Sequence, residues 1–153
     1  MAASTDPDSP REWRVGVAGE DGIVAARQLA RVAAQGLGFG LVDQSRIATA
    51  VSELTRNVVR YATEGQGEAV IREIASAEGT AGLEIVVRDN GPGIADVEQA
   101  LRDGYSSGSG LGMGLPGTRR LMDEMEIDSA PGRGTLVTIR KWLPPVRYPA
   151  RGR

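Results

Sequence analysis

The sequence predicts an α+β fold, a mostly antiparallel sheet with helices on one face, and three observations carry that expectation. Helical periodicities cluster early and midway along the chain, apolar alternation recurs in pairs separated by turn-forming residues, and 153 residues suit one domain with a single core. The expected domain spans residues 11–143, between a disordered lead-in over 1–10 and a flexible tail over 144–153 that is rich in Pro and Arg.

Each element has its own signal. The segment EWRVGVAG (12–19) alternates Trp13, Val15 and Val17 and reads as a strand, with Asp21 as the N-cap of the helix that follows. In that helix Ile23, Ala26, Leu29, Ala30 and Ala33 recur at helical spacing, and the glycines at 36, 38 and 40 end it around Phe39. The segment VDQSRIATAVSELTRNVVRYA (42–62) places Ile47, Val51, Leu54 and Val58 at i, i+4, i+7 and i+11, the clearest amphipathic helix in the chain. EGQG breaks it, and EAVIREIAS (68–76) and GLEIVVRDN (82–90) read as two strands of a meander. LPGTRRLMDEM (115–125) reads as a further helix, and EIDSAPGRGTLVTIRKWL (126–143) as a closing hairpin around Pro131-Gly132-Arg133-Gly134.

Composition then restricts the chemistry. The absence of Cys and His removes thiol nucleophiles, Ser-His-Asp triads, Cys/His zinc sites and disulfides. Eighteen basic against 20 acidic residues leave a net charge of -2, which recommends neither nucleic acid nor an anionic membrane as partner. Lys141 is the one lysine, and no GxxxxGK[ST] string occurs, so a P-loop is excluded. No run of about 18 apolar residues exists, and MAASTDPDSP lacks the charged start and apolar stretch of a signal peptide, so the expected location is cytoplasmic.

Three features can carry chemistry. Glu53 and Asn57 lie four apart on the long helix, so both project from one face, offset from the apolar stripe. A carboxylate and an amide oxygen placed this way suit a general base beside a hard-cation ligand; the plainer reading is a solvated helix surface. Asp89-Asn90-Gly91-Pro92-Gly93-Ile94 ends the apolar strand LEIVV, either as an ordinary turn or as a fixed carboxylate followed by glycines that let a flat ring approach. Gly108-Ser109-Gly110-Leu111-Gly112-Met113-Gly114 precedes a helix start, where alternating glycines bare backbone N–H groups to phosphate oxygens or merely form a linker. Gly112, Gly114 and Gly117 also satisfy GxGxxG, but no apolar strand precedes them and Pro116 interrupts the turn, which argues against a dinucleotide fold. Eight of the 21 glycines fall within residues 91–117.

Together, in this order, these motifs resemble the ATP-binding Bergerat (GHKL) fold shared by gyrase, Hsp90, sensor histidine kinases and MutL. The resemblance covers roughly residues 12–143 and implies a two-layer α/β sandwich. It further implies that Asn57 holds Mg²⁺, that Glu53 is a catalytic base, and that Asp89, Gly91, Gly93 and Ile94 form the adenine site. Gly108, Ser109, Gly110, Leu111, Gly112, Met113 and Gly114 would belong to a lid over the phosphates of ATP, and Thr135, after Gly134, would sit near adenine.

Within that superfamily the chain has no room for a transducer domain and no phosphorylatable His. The strings SRIATAVSELTRNVVRYA, DNGPGIADVEQALRDGYSSGSGLGMGLPGTRRLMDEMEID and GRGTLVTIRKWL resemble RsbT-like switch-protein serine/threonine kinases of the stressosome. That resemblance implies phosphorylation of a STAS-domain anti-sigma antagonist, partner switching that regulates sigma-factor signalling, and activation of a PP2C-type phosphatase. The alternative it leaves open is a non-catalytic anti-sigma module that binds ATP as a structural ligand. The branch works through heterologous complexes, which leans towards a monomer in isolation. Arg56, Arg60, Arg119 and Arg120 receive no role from the sequence.

Overall fold

The computed structural model describes residues 9–94, 96, 100–101 and 114–145; the expectations for the first eight residues, for the lid up to Met113 and for the tail beyond residue 145 lie outside them. In chain order the described elements are β1 (Glu12–Val17), α1 (Glu20–Leu37), α2 (Leu41–Tyr61), a 3-10 turn (Thr63–Gly65), β2 (Gly67–Ala75), β3 (Ala81–Asp89), α3 (Gly114–Leu121), β4 (Glu124–Ser129) and β5 (Thr135–Trp142). The five strands form one sheet in the order β1-β2-β3-β5-β4, antiparallel throughout. This is the α+β sandwich expected from the sequence. None of the described helices is long and apolar enough to cross a membrane.

Strand register explains the two faces. One face carries the rows Trp13–Ile71–Ile85–Ile139–Met125 and Val15–Ala69–Val87–Val137–Ile127, read across all five strands. Against it pack Ala26, Ala30 and Ala33 of α1 and Ile47, Val51, Leu54 and Val58 of α2, in one buried cluster. Small residues on α1 let the two helices approach each other, while the branched residues of α2 fill the layer above the sheet. The four apolar positions that predicted α2 are all at most 2% exposed.

The opposite face is held by charge. Its central row reads Glu12–Arg72–Glu84–Arg140–Glu124, alternating in sign at every strand. Glu84, 8% exposed, accepts from Arg72 at 2.5 Å on one oxygen and from Arg140 Nε at 2.8 Å on the other. Each oxygen of the carboxylate thereby has a charged donor, which is what a buried anion requires. The hydrogen bond to Glu84 raises the Arg140 guanidinium further above its ordinary range.

Two boundaries differ from the sequence expectation, while the glycine end of α1 matches it. Asp21 is not the N-cap: Gly19 is, its carbonyl accepting from the N–H groups of Gly22 and Ile23, and Asp21 sits in the first turn beside Glu20. Helix α1 can start this close to β1 because Gly22 has no Cβ; one there would lie 2.9 Å from the Val17 Cα. At the far end α1 runs through Gly36 to Leu37, where left-handed Gly38 (φ 98°) and Phe39 return their N–H groups to Gln35 and Ala34.

The other difference lies between α3 and β4. The periodicity of LPGTRRLMDEM predicts a helix to residue 125, but α3 ends at Leu121 and β4 begins at Glu124. Pairing with β5 overrides local propensity here: Asp123 donates its N–H to the Arg140 carbonyl and accepts from the Trp142 N–H on its side chain. Lys141, buried on β5, fixes the break by donating to the Leu121 carbonyl at 3.0 Å, with Asp43 and Asp123 carboxylates at 3.8 and 3.6 Å. A cation at the carbonyl end of a helix is favoured electrostatically as well. Lys141→Met is expected to lower stability by about 1–3 kcal/mol, the worth of a charged hydrogen bond to a buried acceptor. Urea denaturation with an unchanged midpoint would show that the clamp contributes nothing.

Candidate active site

The sheet row next to the helix layer at one end of the molecule is Val17–Gly67–Asp89–Thr135–Ser129. It departs from the apolar rows beside it, and it borders a cleft of about 410 Å³. One wall is α2, through Leu54, Asn57, Val58 and Tyr61; the floor is Val87 and Asp89 of β3 with Thr135 and Val137 of β5. Pro92, Gly93 and Ile94 close a third side, and Gly114 and Leu115 bring the start of α3 to the rim. The volume and the mixture of apolar walls with a few convergent polar groups are those of a small-molecule site.

Each polar group is placed by local structure. Asn57 reaches the cleft because it lies three residues after Leu54 and one before Val58, at the edge of the buried stripe. Asp89 is the last residue of β3, where the chain leaves the sheet, and its Oδ1 accepts the Gly91 N–H at 2.8 Å. That bond fixes the carboxylate and leaves Oδ2 to accept from a ligand. Thr135 is the direct antiparallel partner of Asp89, so the two side chains stand on the same face.

The glycines after Asp89 serve close backbone packing. A Cβ at Gly91 would meet the Ala62 Cα and Tyr61 carbonyl at the end of α2, both at 2.9 Å. Gly93 has φ 78°, and a Cβ there would overlap the Ala130 carbonyl; Gly134, φ 74°, would overlap that of Asp89. The DNGPG segment is therefore pressed between α2 and the β4–β5 turn. Gly93 and Ile94 line the cleft, whereas Gly91 is buried beside it.

Of the residues expected at the site, Asn57, Asp89, Gly93, Ile94, Gly114 and Thr135 thus meet around one cavity. Gly108, Ser109, Gly110, Leu111, Gly112 and Met113 lie outside the described residues. Glu53 does not line the cleft: one turn of α2 before Asn57 and largely buried, its carboxylate accepts from Arg56 Nη1 at 2.8 Å.

Three contributors went unread in the sequence. The apolar walls Leu54, Val58, Val87 and Val137 carry no signal separating cleft from core, since the same periodicity produces both. Arg56 follows Glu53 at i+3, a spacing that permits the ion pair on any helix. Ser129 receives the Ile94 N–H at 2.8 Å, donates to the Gly134 carbonyl at 2.9 Å and lies 2.9 Å from the Thr135 hydroxyl. A serine beside a turn carries no mark of such a position.

Magnesium and ATP fit this residue set. Mg²⁺ takes oxygen ligands and keeps phosphate and water in most positions, so one amide oxygen such as Asn57's suffices from the protein. No group of three His, Cys, Asp or Glu side chains among the described residues forms a protein-only cage. The apolar walls suit a purine ring, and the Asp89 carboxylate suits its exocyclic amino group.

Comparison with known proteins identifies the family. A family profile described as the histidine kinase-like ATPase domain matches residues 18–141. The chain is 52% identical over 121 residues to the serine/threonine-protein kinase RsbT of Bacillus subtilis, covering 79% of this chain and 89% of that one. It is 35% identical over 104 residues to the anti-sigma F factor of Halalkalibacterium halodurans, covering 66% and 70%. Among solved structures, the RsbU and RsbW domains of Rv1364c from Mycobacterium tuberculosis share the fold, with a TM-score of 0.59 at 22% identity over 94% of this chain and 35% of that one. By a profile that spans most of its length and a relative identical at half of the aligned positions, the chain belongs to the histidine kinase-like ATPase domain family, on its branch of RsbT-like serine/threonine-protein kinases.

Proposed function

We propose that this protein transfers the γ-phosphoryl group of ATP to a Ser or Thr hydroxyl of a STAS-domain partner, and that it regulates sigma-factor signalling by partner switching, activating a PP2C-type phosphatase. The single observation that carries the reading is the placement of Asn57 and Asp89 on one cleft, with Glu53 one turn of α2 before Asn57. Asp89 and Thr135 hold the adenine, and the walls Leu54, Val58, Val87 and Val137 sandwich it. Asn57 would hold Mg²⁺, which when bound supplies charge neutralisation to the triphosphate.

Glu53 takes the proton of the acceptor hydroxyl as its oxygen bonds to the γ-phosphorus and the bond to the β-phosphate oxygen breaks, with ADP leaving. Its position outside the nucleotide cavity suits this role, because the acceptor belongs to another protein and must approach from outside. Arg56 keeps the carboxylate oriented until then. The glycines from Gly108 to Gly114 would cover the phosphates. Residues 11–143 would constitute the kinase domain, acting in the cytoplasm.

The test is incubation of the protein with Mg-ATP and a STAS-domain protein, followed by mass spectrometry of the latter. A single phosphoserine or phosphothreonine is expected. Tight ATP binding with no phosphopeptide, and capture of a sigma factor instead, would replace the kinase by a non-catalytic anti-sigma module.

A further inference from the structure

The hydrogen-bond pattern around Ser129 has one consistent assignment. Ser129 Oγ contacts three groups: the Ile94 N–H, which can only donate, the Gly134 carbonyl, which can only accept, and the Thr135 hydroxyl, which can do either. A serine hydroxyl has one proton and two lone pairs. Its proton goes to Gly134, so the Thr135 hydroxyl must donate to Ser129 for all three contacts to be hydrogen bonds. Thr135 then has no proton left for a ligand. Towards the cleft it offers lone pairs alone, beside a carboxylate that offers lone pairs alone.

We infer that Ser129 is a positioning residue for nucleobase selection: by taking the proton of Thr135 it makes the base-reading end of the cleft acceptor-only. Where such an end meets position 6 of a purine, it favours an amino group there and opposes a carbonyl, whose oxygen would face oxygen. Sheet register places the device, because Asp89, Thr135 and Ser129 are consecutive members of one row across β3, β5 and β4. The same hydroxyl also pins Ile94 of the loop that closes the cleft, so the polarity of the reading end and the position of its wall are set by one side chain.

The inference rests on the proposed nucleotide site, and the test separates the two. Calorimetric titration compares ATP with ITP, which differ at purine position 6 and in the protonation of N1. The native chain is expected to prefer ATP. In Ser129→Ala the Thr135 proton is released towards the cleft, where it can meet a 6-oxo group, and the preference for ATP over ITP is expected to fall about tenfold, the scale of one hydrogen bond reversed. Ser129→Thr, which keeps the hydroxyl, is expected to retain the native ratio. Thr135→Val removes the hydroxyl without providing a donor and is expected to weaken ATP, and to relieve ITP of one oxygen–oxygen contact without giving it a hydrogen bond.

Equal losses for both nucleotides in Ser129→Ala would mean that the serine only braces the loop, and would overturn the inference while leaving the nucleotide site standing. Binding of neither nucleotide by the native chain would overturn the site itself. Should Ser129→Ala fail to fold, Ser129→Cys preserves volume with a much poorer donor and acceptor, and the same change of ratio is expected from it.

Discussion

Glu53→Gln is expected to slow phosphoryl transfer to the partner protein by about 10²–10⁴-fold, the usual contribution of a positioned general base. Nucleotide affinity should stay within about twofold of native. The separation follows from geometry: Glu53 lies outside the cavity lining, one turn of α2 from Asn57, so an isosteric amide there has no nucleotide contact to lose. Folding should be equally insensitive. Gln retains a carbonyl oxygen for the Arg56 guanidinium, and a partly exposed i, i+3 pair on a helix contributes only about 0.2–0.5 kcal/mol. Single-turnover phosphorylation together with calorimetry decides the matter. Transfer as fast as native would remove Glu53 from the reaction, and loss of nucleotide binding in parallel with transfer would make it a structural residue.

Asp89→Asn should weaken Mg-ADP binding about a hundredfold. Asn keeps an oxygen that can accept the Gly91 N–H, so the turn after β3 survives. What changes is the second position, where an acceptor becomes an NH₂ donor facing the donor of the ligand. Two donors forced together in a half-buried site cost about 1–3 kcal/mol, and the charge of the original acceptor adds to the loss. Calorimetric titration with Mg-ADP reads the effect, and the thermal midpoint of the free protein should barely move. Native affinity in the variant would place the adenine elsewhere.

Much of this layout could be read from residues alone, and the failures have physical causes. The long helix was legible because Ile47, Val51, Leu54 and Val58 are all core residues, so burial and periodicity carry the same information. The strands were legible to within a few residues from their alternation. Their spatial order was not, because the insertion of β5 between β3 and β4 is a non-local pairing that no local pattern encodes. That pairing juxtaposes Asp89 and Thr135, 46 positions apart in the chain; from sequence the link came through family resemblance alone. Glu84 illustrates the opposite difficulty. Alternation marks it as outward-facing, which it is, yet its two arginines bury it on that outer face. The truncated α3 was missed because the clamp that ends it, Lys141, lies 20 residues away.

Lys141 also makes the protein unusual as an object of chemical labelling. Its ammonium is the only side-chain amine in the sequence, and in the folded state its side chain is only 10% exposed and engaged with a helix-end carbonyl. Amine-directed dyes and cross-linkers would therefore find no readily reached side-chain amine on the intact molecule. Incorporation at Lys141 would instead report the moment when α3 lets go of β5. Since α3 begins at the rim of the cleft, the rate of that labelling, followed with and without nucleotide, makes the single lysine a built-in reporter of how firmly this wall of the binding site is held in place.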